Sequence, residues 1–410
     1  MLDLIIIGAG PAGLFSAQRV AATGLKVLVL EKNNKAGKKL LVTGSGKCNL
    51  TNAANLEQFL TAYGKKAKFV APSLRNFSNT DLIAFFASHA LSLIELHAGK
   101  IFPQTMRASD VLKTVLAACE TSGVLFSFDS SVSNITHQIT DAGSIFSVRA
   151  VSQEYQAKNI LISCGGSSWP VTGSTGDGNL LAQNLGHSIV EPKPALTSVL
   201  PVNYDCASCA GFALSGVRIF LWREGKKIGE RNGDVLFTHL GISGPGILDF
   251  SRHFNPSDEI SIDLCNLPNA DSELLSVCAS SPKKTVKNIL CGLGLSEALA
   301  LVLLKRASLS AIILAAELDR KGRKSLSSLL ESFRFTIKRL GGFDEAMATA
   351  GGIDTDEVNA KTMESRLVSG LYFAGEVLDV DGDTGGYNLQ FAFSSGALAA
   401  DHIIKMTKDN

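Results

Sequence analysis

The sequence has almost no excess charge of either sign: 39 Lys and Arg stand against 38 Asp and Glu, a net +1 over 410 residues. That balance leaves no electrostatic footprint for a polyanion, so neither nucleic acid nor a membrane surface is expected as a partner, and a small-molecule substrate is the default. Uninterrupted apolar runs are too short to cross a bilayer. The basic stretch, apolar core and cleavage site of a secretory leader are not seen after Met1, so a cytoplasmic protein is expected. The eight cysteines, at 48, 119, 164, 206, 209, 265, 278 and 291, follow no regular framework, which fits reduced thiols rather than disulfides. Internal repeats are absent. No metal is expected either, since the one CxxC, Cys206 to Cys209, supplies two of the four ligands that zinc requires.

What is present is concentrated near the start. Residues 4–13 read Leu-Ile-Ile-Ile-Gly-Ala-Gly-Pro-Ala-Gly, and a short helical stretch leads to the apolar run at 27–30 and then Glu31. This is the pattern of a dinucleotide-binding βαβ unit. Gly8 allows the tight turn, Gly10 lets the backbone approach a pyrophosphate, and Gly13 lets the helix lie close to the sheet. The helix predicted from Pro11 to about residue 22 aims its N-terminal amides and dipole at the phosphates, beside Ala12. Glu31, with Lys32 beside it, sits where a carboxylate accepts from the adenosine ribose hydroxyls, and its charge disfavours a 2′-phosphate there.

A chain of this length predicts more than one domain. Helices are expected over about 79–90, capped by Asn79 or Thr80, and from Ser109 and Asp110 onward, with a strand over 124–128. Residues 145–151 and 155–157 read as a hairpin-like pair and 159–163 as a separate strand ending in Cys164, Gly165 and Gly166. Short alternating stretches between about 192 and 267 read as antiparallel β structure. Residues 271–332 read as helical, including 295–304 and 309–318. Strands return after Phe333, and a final apolar helix is expected over about 388–405. The resulting division is a cofactor domain of residues 1–191 and 351–410, an inserted β domain of 192–270 and 333–350, and a helical domain of 271–332.

Three glycine-rich turns each follow an apolar strand, at 8–13, 165–178 and 375–386. In a parallel α/β sheet such turns gather at the carboxyl edge, where one extended ligand can touch all three. FAD suits this better than NAD. Glu376, just after Gly375, can accept from a ribityl hydroxyl. Amides near Gly385, Gly386, Tyr387 and Asn388 can face the flavin pyrimidine edge, where a helix dipole stabilises charge developing on reduction. The expected chemistry is hydride transfer between flavin N5 and a small organic substrate. His239 and Tyr387 are the candidates for catalytic proton transfer, with stacking against the ring as the other role of Tyr387. The alternatives are a dithiol/disulfide reductase that passes electrons to Cys206 and Cys209, and a flavin-binding redox sensor without turnover. Against the dithiol reading, the pair lies outside any βαβ context and no second clear GxGxxG marks an NADPH domain.

Residues 37–52 (Gly-Lys-Lys-Leu-Leu-Val-Thr-Gly-Ser-Gly-Lys-Cys-Asn-Leu-Thr-Asn), 237–245 (Phe-Thr-His-Leu-Gly-Ile-Ser-Gly-Pro) and 361–365 (Lys-Thr-Met-Glu-Ser) through Tyr387 and Asn388 are similar, in the same order, to the signatures of a bacterial flavoprotein family of NAD(P)/FAD-dependent oxidoreductases. Its members include aminoacetone oxidase-like proteins and 3-dehydro-bile-acid Δ4,6-reductase-like proteins. The resemblance covers nearly the whole chain. It implies an α/β fold with a Rossmann-type, glutathione-reductase-like FAD domain built from both chain ends, an inserted antiparallel β-barrel-like domain and a small helical domain. It also implies NADH or NADPH, or oxygen, as the second redox partner, and places Lys39, Leu40, Thr43, Gly46, Lys47, Cys48 and Asn49 at the cofactor. Two positions depart from the family pattern. Lys47 stands where an Arg is frequent, keeping the charge without the planar fork, and Ile353 replaces a smaller Val. Neither substrate nor oligomeric state follows from the resemblance.

Overall fold

The computed structural model describes residues 1–140, 143–151 and 153–408, so the last two residues of the segment 351–410 lie outside the described residues. The chain forms two compact units, Met1–Ala195 with Ala346–Asn410, and Leu196–Glu345.

The first unit is built on a mixed sheet. Strand β1 (Leu2–Ile7) enters helix α1 (Pro11–Ala21), which returns to β2 (Val27–Leu30) beside β1, with Ile7 opposite Leu30. The near-continuous apolar character of β1 and β2 has a direct cause, since parallel strands are covered on both faces and every residue of β2 is buried. On the other side of β1 lies Gln153–Ile162, also parallel, and Leu371–Phe373 pairs with its last residues. Leu125–Ser127 adds a parallel edge beyond β2. The long helix Tyr387–Lys408 packs on α1: Ser16 Oγ donates to the Gly396 carbonyl at 2.8 Å, and a Cβ on Gly396 would lie 2.6 Å from the Ala12 carbonyl oxygen. Arg19 clasps Asp401 between the same helices at 2.7 Å.

Three local expectations differ from what is found. The pieces predicted at 155–157 and 159–163 are one strand, Gln153–Ile162. Its first half pairs antiparallel with Gly143–Ala150, and its second half pairs parallel with Leu371–Phe373. The stretch 309–318 is not a helix beyond a single 3-10 turn, Ala315–Glu317. Its backbone groups pair across the chain instead: Val286 N–H donates to the Ile313 carbonyl and Ala315 N–H to that of Lys284, both at 2.9 Å. The helix predicted over 79–90 spans Asn79–Ser88 and is capped by Ser78 in a reciprocal box with Asp81, one residue earlier than expected.

The second unit closes a six-stranded barrel in the order Val199–Pro201, Ile242–Ser243, Lys226–Phe237, Ala213–Arg223, Glu259–Ile262, Phe333–Leu340, with the last strand pairing back to the first. The helices Ala270–Ser280, Val286–Gly292, Glu297–Arg306 and Arg320–Glu331 share one hydrophobic core with it, in which Leu274, Leu303 and Leu330 meet Ile219, Ile260 and Phe333. Barrel and helices therefore form one compact unit rather than two. No helix among the described residues is long and apolar enough to cross a membrane.

Candidate flavin site

Strand register builds the site. Ile7 and Phe373 both pair with Ile162, so three parallel strands end side by side and each delivers its glycine-rich turn to the same sheet edge. A cavity opens there, inside the first unit, lined among others by Gly8, Gly10, Pro11, Ala12, Glu31, Lys32, Lys39, Leu40, Thr43, Cys164, Gly165, Gly375, Glu376 and Asn388. Those fourteen residues come from six separate stretches of sequence.

The first turn has the shape that a pyrophosphate needs. Gly8 has φ +104°, and a Cβ on it would lie 2.7 Å from the Ser163 carbonyl oxygen; a Cβ on Gly13 would come within 2.1 Å of the Gly8 carbonyl oxygen. Gly10 is the opposite case, with no neighbouring atom nearer than 4.0 Å to its Cβ position. The two outer glycines are thus required by the protein's own packing, whereas the middle one leaves open a cradle that a Cβ would fill, at the N-terminus of α1.

Glu31 is 8% exposed at the end of β2. Its Oε2 accepts from Ala9 N–H at 2.9 Å, and its Oε1 accepts from Asn33 N–H at 2.9 Å and Asn33 Nδ2 at 2.7 Å. These donors hold the carboxylate at the cavity wall with lone-pair capacity left for hydroxyl donors. Lys32 reaches Asp177 at 2.6 Å, and Lys38 donates to Asn33 Oδ1 at 2.8 Å. At the third turn, Glu376 Oε2 accepts from Lys39 Nζ at 2.6 Å, while its Oε1 accepts from Ser168 Oγ and Thr349 N–H, both at 2.9 Å. One network therefore joins the loop after β2, the second turn and the third. Cys164 lies between, its thiol pushed up to about 12 by burial and by the nearby Asp177 and Glu31 carboxylates.

Other sequence-predicted residues sit elsewhere. Gly13, within α1, packs on the Gly8 carbonyl, and Gly166 packs against Thr349. Gly46, Lys47, Cys48 and Asn49 all lie outside the cavity lining, the first two exposed. Cys48 is buried at φ +61°, its thiol raised to about 12 by desolvation. Gly385 offers its carbonyl to Asn52 Nδ2 at 3.1 Å, and Gly386 packs against Thr51. Tyr387 stacks edge-on against Phe59 at 4.9 Å, and its carbonyl accepts from Tyr63 Oη at 2.8 Å. His239 is exposed in the second unit, between the strands Lys226–Phe237 and Ile242–Ser243. Cys206 and Cys209 are buried in that unit's core with both thiols raised by desolvation. Among the described residues no group of three or more His, Cys, Asp and Glu has metal-holding geometry.

The cavity also contains residues that sequence reasoning missed: Asn33, Ser130, Ser131, Val132, Asp177 and Met347. The signal for 130–132 was available, since the loop after any parallel strand falls on the same edge and a strand over 124–128 was expected. Met347 gave none.

Parallel strands ending side by side, with a glycine cradle, a buried carboxylate and a helix N-terminus at their carboxyl edge, define a Rossmann-type dinucleotide-binding domain. The chain belongs to the family described as HI0933-like protein Rossmann domain, which matches residues 2–402, and is a FAD-binding oxidoreductase of that family. It is 34% identical to the ribosomal RNA dihydrouridine synthase of Haemophilus influenzae, over 97% of each chain, and 31% identical to the protein of the same name in Escherichia coli, over 98% of each. It is also 31% identical to the 3-dehydro-bile acid delta(4,6)-reductase of Clostridium scindens, over 96% of this chain and 97% of that one. Among solved structures, the fold is similar to a 3-ketosteroid delta1-dehydrogenase from Sterolibacterium denitrificans (TM-score 0.54, 11% identity, 99% of each chain). It is likewise similar to the 3-ketosteroid-delta4-(5alpha)-dehydrogenase from Rhodococcus jostii (TM-score 0.53, 14% identity, 98% of this chain and 96% of that one).

Proposed function

We propose that this protein is a FAD-dependent reductase that adds a hydride and a proton across a carbon–carbon double bond conjugated to a carbonyl, and that its substrate is the uracil ring of uridine in ribosomal RNA. The observation that carries the reading is full-length similarity to relatives whose names share one chemistry. A dihydrouridine synthase saturates the C5–C6 bond conjugated to a uracil carbonyl, and the bile-acid enzyme reduces double bonds conjugated to a 3-oxo group. The RNA reading has two such relatives and is placed first. The net charge of +1 that set the expectation of a small molecule describes the whole chain, not the distribution of its cations. A small unsaturated carbonyl compound is the second reading.

Bound flavin, once reduced by two electrons, would supply the hydride. This chain's own groups hold it: the α1 N-terminus and the Gly10 cradle take the pyrophosphate, Glu31 the adenosine ribose, and the Lys39–Glu376–Ser168 network the ribityl side of the ring. Reduction needs two electrons per double bond, for which NADH or NADPH is the proposed donor, in the cytoplasm.

The test has two stages. In an anaerobic titration of the FAD-loaded protein, bleaching of the flavin band by NADH or NADPH supports the electron donor; a band that survives both removes it. Ribosomal RNA from an E. coli strain lacking its own 31% identical relative is then treated with the reduced protein and its nucleosides analysed by mass spectrometry. New dihydrouridine supports the substrate, and its absence alongside normal bleaching transfers the function to small unsaturated carbonyl compounds.

A further inference from the structure

We propose that the outer face of the barrel around Phe220 and Trp222 is a docking surface for a single-stranded segment of RNA; the inference rests on the reading of RNA uridine as substrate. In the strand Ala213–Arg223, alternation sends Val217, Ile219 and Leu221 into the buried core and turns Arg218, Phe220 and Trp222 outward. Core packing accounts for the first set only. The second set places two large rings, each partly open to water, on a face where a soluble barrel ordinarily carries small polar residues.

The register sets those rings among cations. Phe220 stands beside Ser261, and Ser261 beside Arg334; Trp222 stands beside Lys227 on one side and Glu259 on the other. The Lys227 ammonium lies 4.7 Å from the centre of the Phe220 ring, the Arg218 guanidinium 5.9 Å from the same ring, and the Arg334 guanidinium 5.1 Å from that of Trp222. Trp222 is further pinned by its Nε1–H, which donates to Ser261 Oγ at 2.8 Å. Lys338 continues the exposed row of the strand Phe333–Leu340 beyond Arg334. Rings fixed in orientation and flanked by guanidinium and ammonium groups provide the two contacts a nucleic acid strand uses without regard to sequence, base stacking and phosphate pairing.

The carboxylates on this face do not cancel that character. Asp263 is buried and keeps Arg218, whereas Glu230 and Glu259 pair with Lys227 and Arg334 through side chains that are 61%, 43%, 45% and 52% exposed. Ion pairs so open to solvent hold their partners weakly, so a phosphate can replace a carboxylate at little cost. Complementarity with a polyanion is therefore local, and a whole-chain charge near zero conceals it.

The experiment compares wild-type FAD-loaded protein with the double variant Phe220→Ala, Trp222→Ala, with Phe220→Tyr, Trp222→Phe, and with the charge reversal Arg334→Glu, Lys338→Glu. Fluorescence anisotropy reads binding of labelled oligouridylate across a salt series, and mass spectrometry reads dihydrouridine formed in ribosomal RNA. Expected are wild-type binding that weakens with salt, at least tenfold weaker binding and less dihydrouridine for the alanine pair, retention by the aromatic pair, and loss with a shallower salt slope for the charge reversal. Flavin bleaching and circular dichroism should remain unchanged throughout. If the alanine pair does not fold, the charge reversal decides alone, both its positions being exposed. Wild-type binding and dihydrouridine formation that the variants share in full overturn this surface and leave the proposed function standing. Normal bleaching without dihydrouridine from wild type overturns the function, and this surface with it. A wild-type dimer in sedimentation that the alanine pair dissolves assigns the face to a second copy of the chain and also overturns the proposal.

Discussion

Lys39 and Glu376 stand 337 positions apart in sequence and form an ion pair of 2.6 Å at the cavity wall. The Glu376 carboxylate accepts from three groups belonging to three segments, so its position reports whether those segments are correctly assembled. Replacing Lys39 by Met leaves Ser168 and the Thr349 amide as donors and removes the cation. Both side chains are about a fifth exposed, so solvent screening reduces the effect to about 1 kcal/mol, roughly a fivefold loss in FAD affinity, with Lys39→Arg in between. Fluorescence titration of the apoprotein with FAD measures it; unchanged affinity in Lys39→Met would show that the pair is not part of the cofactor site.

The glycines of the first turn separate folding from cofactor binding. Gly13→Ala puts a methyl group 2.1 Å from the Gly8 carbonyl oxygen and should destabilise the apoprotein by several kcal/mol, on the order of 3, because α1 must move off the sheet. Gly10→Ala meets no protein atom nearer than 4.0 Å and should leave the apoprotein melting temperature within a degree or two while FAD binding falls sharply. A stable apoprotein in both cases would refute the packing argument.

Glu31→Ala should weaken FAD retention markedly. It also unpairs the amides of Ala9 and Asn33, so part of the loss comes from the turn itself, on the order of 1–3 kcal/mol. Glu31→Gln keeps an acceptor oxygen and isolates the charge. Unaltered cofactor occupancy in the alanine variant would remove Glu31 as ribose ligand.

A pH effect on stability is expected from His187. Its ring is buried, with Nε2 2.8 Å from Ser365 Oγ and Nδ1 3.2 Å from Glu357 Oε2. Burial pulls its pKa below the ordinary 6.5, only partly opposed by Glu357. Below 6.5 the unfolded chain therefore binds a proton that the native state refuses, and the stabilisation present above that pH is lost as pH falls toward the depressed native value. Urea midpoints at pH 7.5 and 5.5 should differ more for wild type than for His187→Gln; equal differences would exclude His187 as the source.

Cys206→Ser with Cys209→Ser should preserve flavin-dependent turnover while lowering stability. Desolvation raises both thiols, which disfavours the thiolate that dithiol exchange needs. Abolished turnover in a folded double variant would restore the disulfide-reductase reading.

The identity of the βαβ unit, the FAD-domain class and the grouping of three glycine turns were legible in the sequence because each rests on local rules. Apolar runs four to six residues long make buried strands, glycines mark turns with positive φ or close approach, and an acidic residue ending the second strand lies a fixed distance from the first turn. What local rules do not carry is partnership between distant segments. Nothing near Lys39 names Glu376, and nothing near Met347 places it at the cavity. The stretch 309–318 has helical composition, yet its backbone hydrogen bonds go to residues 284–286. Phe220 and Trp222 alternate as any strand residues do, and only the register of neighbouring strands sets Lys227 and Arg334 over their rings. Local conformation follows from the residues of a few turns of chain, whereas side-chain pairing depends on which strand ends adjoin which, and that is decided by the packing of the whole sheet.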